Sequence, residues 1–304
     1  MKLKPYTAAP LAAAGCLFLT LVYGMVSSTA DLPAAWRLPA AWRLPVLALA
    51  QTVSCMLPAV LFLFAYRDYN ARRLRFALPR AESVGTLVLL LLCLLIGSAL
   101  LTLVGKRVGL AGTQTAGTSG AASPAVTILV ACILPAVCEE FLFRGVILCA
   151  FEACGTRTAI IGTSLLFAFA HLNFERLPLY FFCSVVLCFA VYVSRSLFAS
   201  VLLHAVYNVA SVYAGVYLSS VAAHLESFAL LFIVMLLAFL ICVIFTLSAA
   251  SRTYRAYADA GLPSDYAPRL RYADRLRASA SVYFSLPFLL CTLLFAAVMI
   301  LEMR

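Results

Sequence analysis

Apolar stretches long enough to cross a bilayer recur along nearly the whole chain, and no other feature of the sequence constrains its fold as much. A helix needs about 20 consecutive apolar residues to span the roughly 30 Å hydrocarbon core. Nine segments approach or exceed that length: residues 8–28, 45–66, 84–104, 125–150, 158–173, 178–194, 197–219, 226–249 and 279–301. Composition excludes a soluble domain, since 65% of the 304 residues are hydrophobic and 11% are charged, with a mean hydropathy of +1.04. The expected fold class is all-α, a polytopic transmembrane helix bundle of about eight or nine spans. The count drops to eight if the short segments at 158–173 and 178–194 are tilted or incomplete crossings.

The net charge of +10 follows topology and not a nucleic-acid partner. The basic residues form short clusters between apolar stretches and do not line one amphipathic face. With a cytoplasmic N-terminus, Lys2 and Lys4 lie inside, as do Arg67, Arg72, Arg73, Arg75 and Arg80, then Arg157 and Arg195, then Arg252, Arg255, Arg269, Arg271, Arg275 and Arg277. The opposite loops hold fewer: Arg37 and Arg43, Lys106 and Arg107, and Arg176. A multi-pass integral membrane location is expected, the plasma membrane if the source is bacterial. Lys2 and Lys4 ahead of an apolar run ending near Ser28-Thr29-Ala30 also fit a cleaved signal, but the run is long for one, and a retained first span is the preferred reading.

Residues 34–45 read Ala-Ala-Trp-Arg-Leu-Pro twice, a duplicated loop segment whose Trp36 and Trp42 suit a membrane interface. Residues 109–124, rich in Gly, Thr, Ser and Ala, read as a flexible loop. The chain is therefore divided into N-terminal transmembrane helices at 1–108, a loop at 109–124, a catalytic transmembrane core at 125–219 and C-terminal transmembrane helices at 220–304. The eleven cysteines are scattered through apolar stretches without a CxxC pair, and they read as small buried apolar residues.

Of twelve carboxylates only Glu139 and Glu140 lie well inside a span, and of 22 basic residues only Arg144 does. A charge near the bilayer centre costs about 2.5 to 3.5 kcal/mol on insertion scales, so three together imply pairing and a function. Residues four apart share a helical face, which lets Glu140 reach Arg144 as an intrahelical ion pair. Glu139 then points about 100° away, without that partner and suited to take a proton. The competing reading is a charge cluster that only fixes helix packing. Nearby spans supply complementary groups: His171, four after Phe167, and His204, four before Asn208. His224 falls in a loop or at a span end.

At these residues the chain resembles the CAAX protease and bacteriocin-processing (CPBP, or Abi) family of intramembrane endopeptidases, similar to its type II CAAX prenyl protease group. The family pattern of E-E-x-x-x-R, F-x-x-x-H and H-x-x-x-N is met in order by Glu139-Glu140 to Arg144, Phe167 to His171 and His204 to Asn208, with Ser196-Leu197 shortly before the last. The resemblance covers roughly 125–215. It implies that Glu139 and His171 activate a water for attack on a peptide carbonyl, and that His204 and Asn208 donate to the oxyanion. Glu140 and Arg144 become structural partners, and Phe167 packs the helix interface. The implied substrate is a peptide or lipid-modified, prenylated protein, with the lipid bilayer as the other partner and no nucleic acid.

No cofactor is favoured. The alternative is a divalent metal such as zinc on Glu139, His171 and His204, although the H-E-x-x-H helix of zinc proteases is absent. Gly117-Thr118-Ser119-Gly120 matches an intramembrane serine-protease signature but lies in the expected loop. A transporter or proton-coupled carrier would use the same buried Glu, Arg and His as a relay, yet the sequence shows no repeated halves. A member that has lost catalysis is disfavoured because every catalytic position is filled. One tension is internal to this reading. Taken upright, His171 lies toward the far end of its segment, a depth offset from Glu139 and His204 approaching ~10 Å at about 1.5 Å per residue.

Overall fold

The computed structural model describes residues 3–27, 40–66, 74–110, 123–224, 228–262 and 271–302. Among them every regular element is helical and no strand occurs, as expected where hydrocarbon offers the backbone no hydrogen-bond partner of its own. The described helices are α1 (Pro5–Ser27), α2 (Ala40–Ala65), α3 (Val84–Arg107), α4 (Pro124–Cys154), α5 (Thr156–Ala170), α6 (Leu177–Ser194), α7 (Leu197–His224), α8 (Phe228–Asp259), α9 (Tyr272–Tyr283) and α10 (Leu286–Glu302).

Among the described residues each of the nine apolar segments is largely helical, but not all are simple spans. Among the described residues six are long and apolar enough to cross: α1, α2, α3, α4, α6 and α8. The expected last span at 279–301 is broken, because α9 and α10 meet at a 51° bend around Phe284 and Ser285. Counted as one, that pair makes a seventh. Helix α5, with 15 residues, and the stretch Leu197–Tyr213 of α7 are shorter apolar helices. The second copy of the Trp-Arg repeat opens α2 instead of lying in a loop, whereas residues 34–39 fall outside the described residues. So do residues 111–122 of the expected flexible loop, including Gly117 to Gly120, and Arg67, Arg72, Arg73 and Arg269 of the basic loops.

Helix α4 occupies the middle of the bundle and touches α1, α2, α5, α6 and α7. Its winding is irregular. Ser123 caps the N-terminus, its side-chain oxygen accepting from the Val126 amide, with Pro124 at the first position where a missing N–H costs nothing. Ile128–Ile133 and Phe141–Leu148 are π-wound, and between them lies one regular segment, Leu134–Glu140. Pro135 explains part of this. It has no N–H to give to the preceding turn, and the chain responds by widening that turn while keeping the helix intact. The segment held between the two wide turns carries both glutamates.

The buried apolar side chains fall into two clusters. One joins α1, α2, α4, α5 and α10 through residues such as Leu17, Phe62, Phe143, Phe151, Leu166 and Phe295. The other joins α3, α6, α7 and α8 through Leu90, Leu94, Leu187, Val193 and Leu203, with α6 facing both. The polar residues singled out by the sequence lie along the seam: Glu139, Glu140 and Arg144 from α4 and His171 at the end of α5 on one side, His204 and Asn208 from α7 on the other. All eleven cysteines are buried and unbonded, in keeping with their reading as small apolar residues.

Candidate active site

Two tight turns set the depth of the site. Helices α4 and α5 form a hairpin about Gly155, whose φ of +97° is open to glycine and disfavoured for other residues. Glu139 lies sixteen residues before Gly155 and His171 sixteen after it, so two antiparallel helices of equal length return the histidine to the level of the glutamate. His171 Nε2 stands 3.9 Å from Glu139 Oε2. The ~10 Å offset expected from upright spans is thus wrong: α4 runs on to Cys154 and α5 begins at Thr156, so no straight segment boundary separates the two groups in depth. Helices α6 and α7 make the second turn at Arg195, in the left-handed conformation with φ +58°, its amide bonded to the Val191 carbonyl. That turn brings α7 back along α6 and delivers His204.

Glu140 is fully enclosed. Arg144 Nη1 donates to its Oε1 at 2.7 Å, the i,i+4 pair expected from the sequence. His204 Nδ1 meets the same oxygen at 2.8 Å, and the Ser200 hydroxyl donates to Oε2. Arg144 is anchored further by Nη2 to the Ser184 hydroxyl at 2.9 Å and by the Phe167 ring 4.5 Å beneath its guanidinium. A carboxylate and a guanidinium buried together persist only when their remaining lone pairs and N–H groups find partners. Here α6 and α7 supply those partners across the seam between the apolar clusters.

Glu139 has the opposite surroundings. Gln51 from α2 donates its Nε2–H to Oε1 at 2.8 Å. Oε2 is buried without a hydrogen-bond partner among the described residues, and two imidazole nitrogens face it, His171 Nε2 at 3.9 Å and His204 Nε2 at 4.0 Å. Side-chain exposure is 13% for Glu139 and 23% for His171, against 0% for Glu140, so only the Glu139 side of the helix can admit a ligand. The orientation of His171 is fixed. Its Nδ1 lies 2.8 Å from the Phe167 carbonyl oxygen, which only accepts, so Nδ1 carries a hydrogen, and in the neutral imidazole Nε2 presents its lone pair to the site. Tyr180 stacks on the ring at 3.9 Å between centroids and 23° between planes.

The Phe167 ring lies 4.6 Å from that of His171 and 5.1 Å from that of Phe143. Asn208 has a backbone partner: its amide donates to the Cys132 carbonyl at 3.2 Å, within the π-wound turn of α4. Neighbouring side chains commonly satisfy carbonyls where a membrane helix departs from regular winding. The second N–H of the amide is left for another acceptor. The side chain of His224 lies outside the described residues. The sequence reading passed over Gln51, Ser184, Ser200 and Tyr180. Ser200 had a signal, since it precedes His204 by four and shares its helical face; Gln51 had a weaker one, as an amide in the middle of an apolar span.

A tetrahedral ion with bonds of about 2.0 to 2.1 Å holds its ligand atoms roughly 3.4 Å apart. The 3.9 and 4.0 Å separations here are wider, and no group of three or more His, Cys, Asp or Glu among the described residues is arranged to hold a metal ion. A water oxygen about 2.8 Å from each partner fits the same gap.

Residues 121–210, a stretch that contains α4, α5, α6 and the first part of α7, match the family described as Type II CAAX prenyl endopeptidase Rce1-like. That segment is similar to the Rce1-like family. The family is one of hydrolases acting on peptide bonds, and every member of the polar seam except Gln51 lies within the matched residues. No curated protein matches the chain, and no solved structure does. The match to a membrane-protease family and the long apolar helices together support an integral membrane protein.

Proposed function

We propose that the chain is an intramembrane endopeptidase that hydrolyses a peptide bond of a prenylated or otherwise membrane-associated substrate, with Glu139 and His171 activating the attacking water. The observation that carries this reading is the unsatisfied Glu139 Oε2 with two imidazole Nε2 atoms facing it at 3.9 and 4.0 Å. A water seated there donates one hydrogen to Glu139 Oε2 and the other to the His171 Nε2 lone pair. Both water hydrogens are then held by acceptors, and its own lone pairs point toward an incoming carbonyl carbon.

As the water oxygen bonds to that carbon, its proton passes to Glu139 and the carbonyl π electrons move onto oxygen. His204, with Nδ1–H held by Glu140, carries a second proton on Nε2 in this role and donates it to the oxyanion, and the remaining Asn208 N–H is the second donor. Collapse re-forms the carbonyl and breaks the C–N bond, and the proton on Glu139 goes to the departing amine. Glu140 and Arg144 hold His204 in place and do not meet the substrate. We assign no metal to the reaction.

The test is cleavage of a prenylated CAAX peptide by the purified protein in lipid nanodiscs, comparing wild type with Glu139→Ala and His171→Ala, with and without a chelator. Loss of cleavage in both variants and indifference to the chelator are expected. Undiminished cleavage by Glu139→Ala overturns the assigned base, and loss of wild-type activity on chelation replaces the water mechanism with a metal one.

A further inference from the structure

The matched segment does not contain all of the seam. Glu139 accepts one hydrogen bond from a described residue, and the donor comes from α2, 88 positions earlier in the chain and well outside residues 121–210. We propose that Gln51 is a positioning residue for the Glu139 base, so that the helices preceding the family segment form part of the working site. This inference rests on the reading of Glu139 as the base.

Gln51 begins a stripe with Cys55, Ala59 and Phe62, at the three- and four-residue spacing of one helical face. The last three are buried at 2%, 0% and 6% exposure, and that face of α2 packs on α1 and α4. The opposite side of the same helix is apolar and exposed, with Leu49, Leu57 and Val60 outward. Lipid contact thus accounts for the outward residues and close packing for three of the inward ones. The amide is the exception, since burying it without a partner is unfavourable, and its partner is the carboxylate. Packing holds the stripe in register: a side chain grafted on Gly15 of α1 would meet Pro58 of α2 at 3.3 Å.

The chemical consequence concerns which oxygen works. Rotation about the terminal bond of a free glutamate side chain is broad and roughly two-fold, so nothing intrinsic to Glu139 directs one oxygen toward the histidines. With Oε1 held at 2.8 Å by an N–H of Gln51, Oε2 is the oxygen left facing His171 and His204. Without Gln51 the carboxylate turns freely, and the geometry in which a water bridges Oε2 and His171 Nε2 becomes a minority arrangement. The substrate itself does not depend on the amide, so the defect belongs to the rate of the chemical step.

The experiment compares wild type, Gln51→Leu and Glu139→Ala in nanodiscs with the prenylated peptide, measuring kcat, KM and thermal midpoint. Leucine fills the space of glutamine and suits an apolar helix, so the variant should fold with a midpoint within a few degrees of wild type. A fall of about tenfold to a hundredfold in kcat, the size expected for a small misplacement of a reacting group, with KM within about twofold, is the expected result. Infrared difference spectra of wild type minus Glu139→Gln should also show the Glu139 carboxyl band displaced when the same difference is taken in the Gln51→Leu background. An inactive Glu139→Ala beside a Gln51→Leu of wild-type kcat overturns the positioning role and leaves the proposed base standing. An active Glu139→Ala overturns the base itself. A Gln51→Leu that loses folded protein while kcat per folded molecule and the carboxyl band stay unchanged makes Gln51 a packing residue and overturns the inference.

Discussion

Glu139 and Glu140 are neighbours in one regular turn of α4, yet the two sides of that helix treat the same side chain in opposite ways. On one side Glu140 meets Arg144, His204 and the Ser200 hydroxyl and is sealed from everything else. On the other, Glu139 is held at a single oxygen by Gln51, and its second oxygen faces two imidazoles without touching either. A fully satisfied buried network rigidifies the protein around it, whereas an orphaned buried oxygen is costly and points to something that binds there. On the proposed function, the contrast separates a carboxylate that builds the site from one that works in it. It also predicts that equivalent substitutions at adjacent positions have different consequences.

The largest effect should come from Glu139→Gln. Loss of a general base typically removes about 10² to 10⁴ of rate, and a fall in kcat toward the upper end is expected, because in the proposed mechanism the same group also returns the proton to the leaving amine. Its folded yield should match wild type, since the amide can still accept from Gln51 through its oxygen. Equal losses of activity and of folded protein would erase the distinction between the two glutamates.

Glu140→Gln should show first in stability, with any loss of kcat following from a displaced His204. Removing one charge from a buried pair costs about 3 to 5 kcal/mol, much of it from the partner left unpaired, and Arg144 is 1% exposed. Unfolding in mixed micelles should report a loss of that size. If Glu140→Gln instead folds normally and fails only in kcat, Glu140 belongs to the chemistry and the division of labour fails.

How far this division could be read in advance depends on the kind of signal. The Glu140–Arg144 pair was legible, because i,i+4 geometry is local and because, with Glu139, these are the charges the sequence places well inside a span. The helical segments were legible from apolar runs alone. The depth of His171 was not, since it depends on α4 and α5 turning at one glycine, and a hydropathy window blurs a hairpin that tight. The π-wound turns of α4 were foreshadowed only by Pro135, read as a kink. Gln51, Ser184 and Ser200 escaped because a census of ionisable groups ignores amides and hydroxyls, and because their partners lie 88, 40 and 60 positions away. The network that sorts the two glutamates is long-range, and sequence spacing carries little of it.

Asn208→Ala sharpens the comparison at a residue that stands between building and working. As an oxyanion donor its loss should cost about 10²-fold or more in kcat with little change in KM. As a partner for the Cys132 carbonyl at 3.2 Å alone, it should cost about 1 kcal/mol of stability and leave kcat intact. We expect the first, with a small stability loss accompanying it. The second outcome alone would move Asn208 to the building side and leave His204 as the one oxyanion donor assigned.

The smallest effect is expected at Tyr180, which meets the working side through its stack on His171. Its ring lies 3.9 Å from the imidazole, nearly parallel, and such contacts contribute about 0.5 to 1.5 kcal/mol beyond area burial. The Phe167 carbonyl holds His171 Nδ1 at 2.8 Å and the Phe167 ring lies 4.6 Å from the imidazole, so Tyr180→Leu removes one restraint among several and the imidazole keeps its orientation toward Glu139. A fall in kcat of roughly threefold to tenfold is expected, with Tyr180→Phe restoring most of it because the stack and not the hydroxyl does the holding. If Tyr180→Phe is as impaired as Tyr180→Leu, the hydroxyl contributes to the site directly, and the working side of α4 includes a donor beyond the two histidines and Asn208.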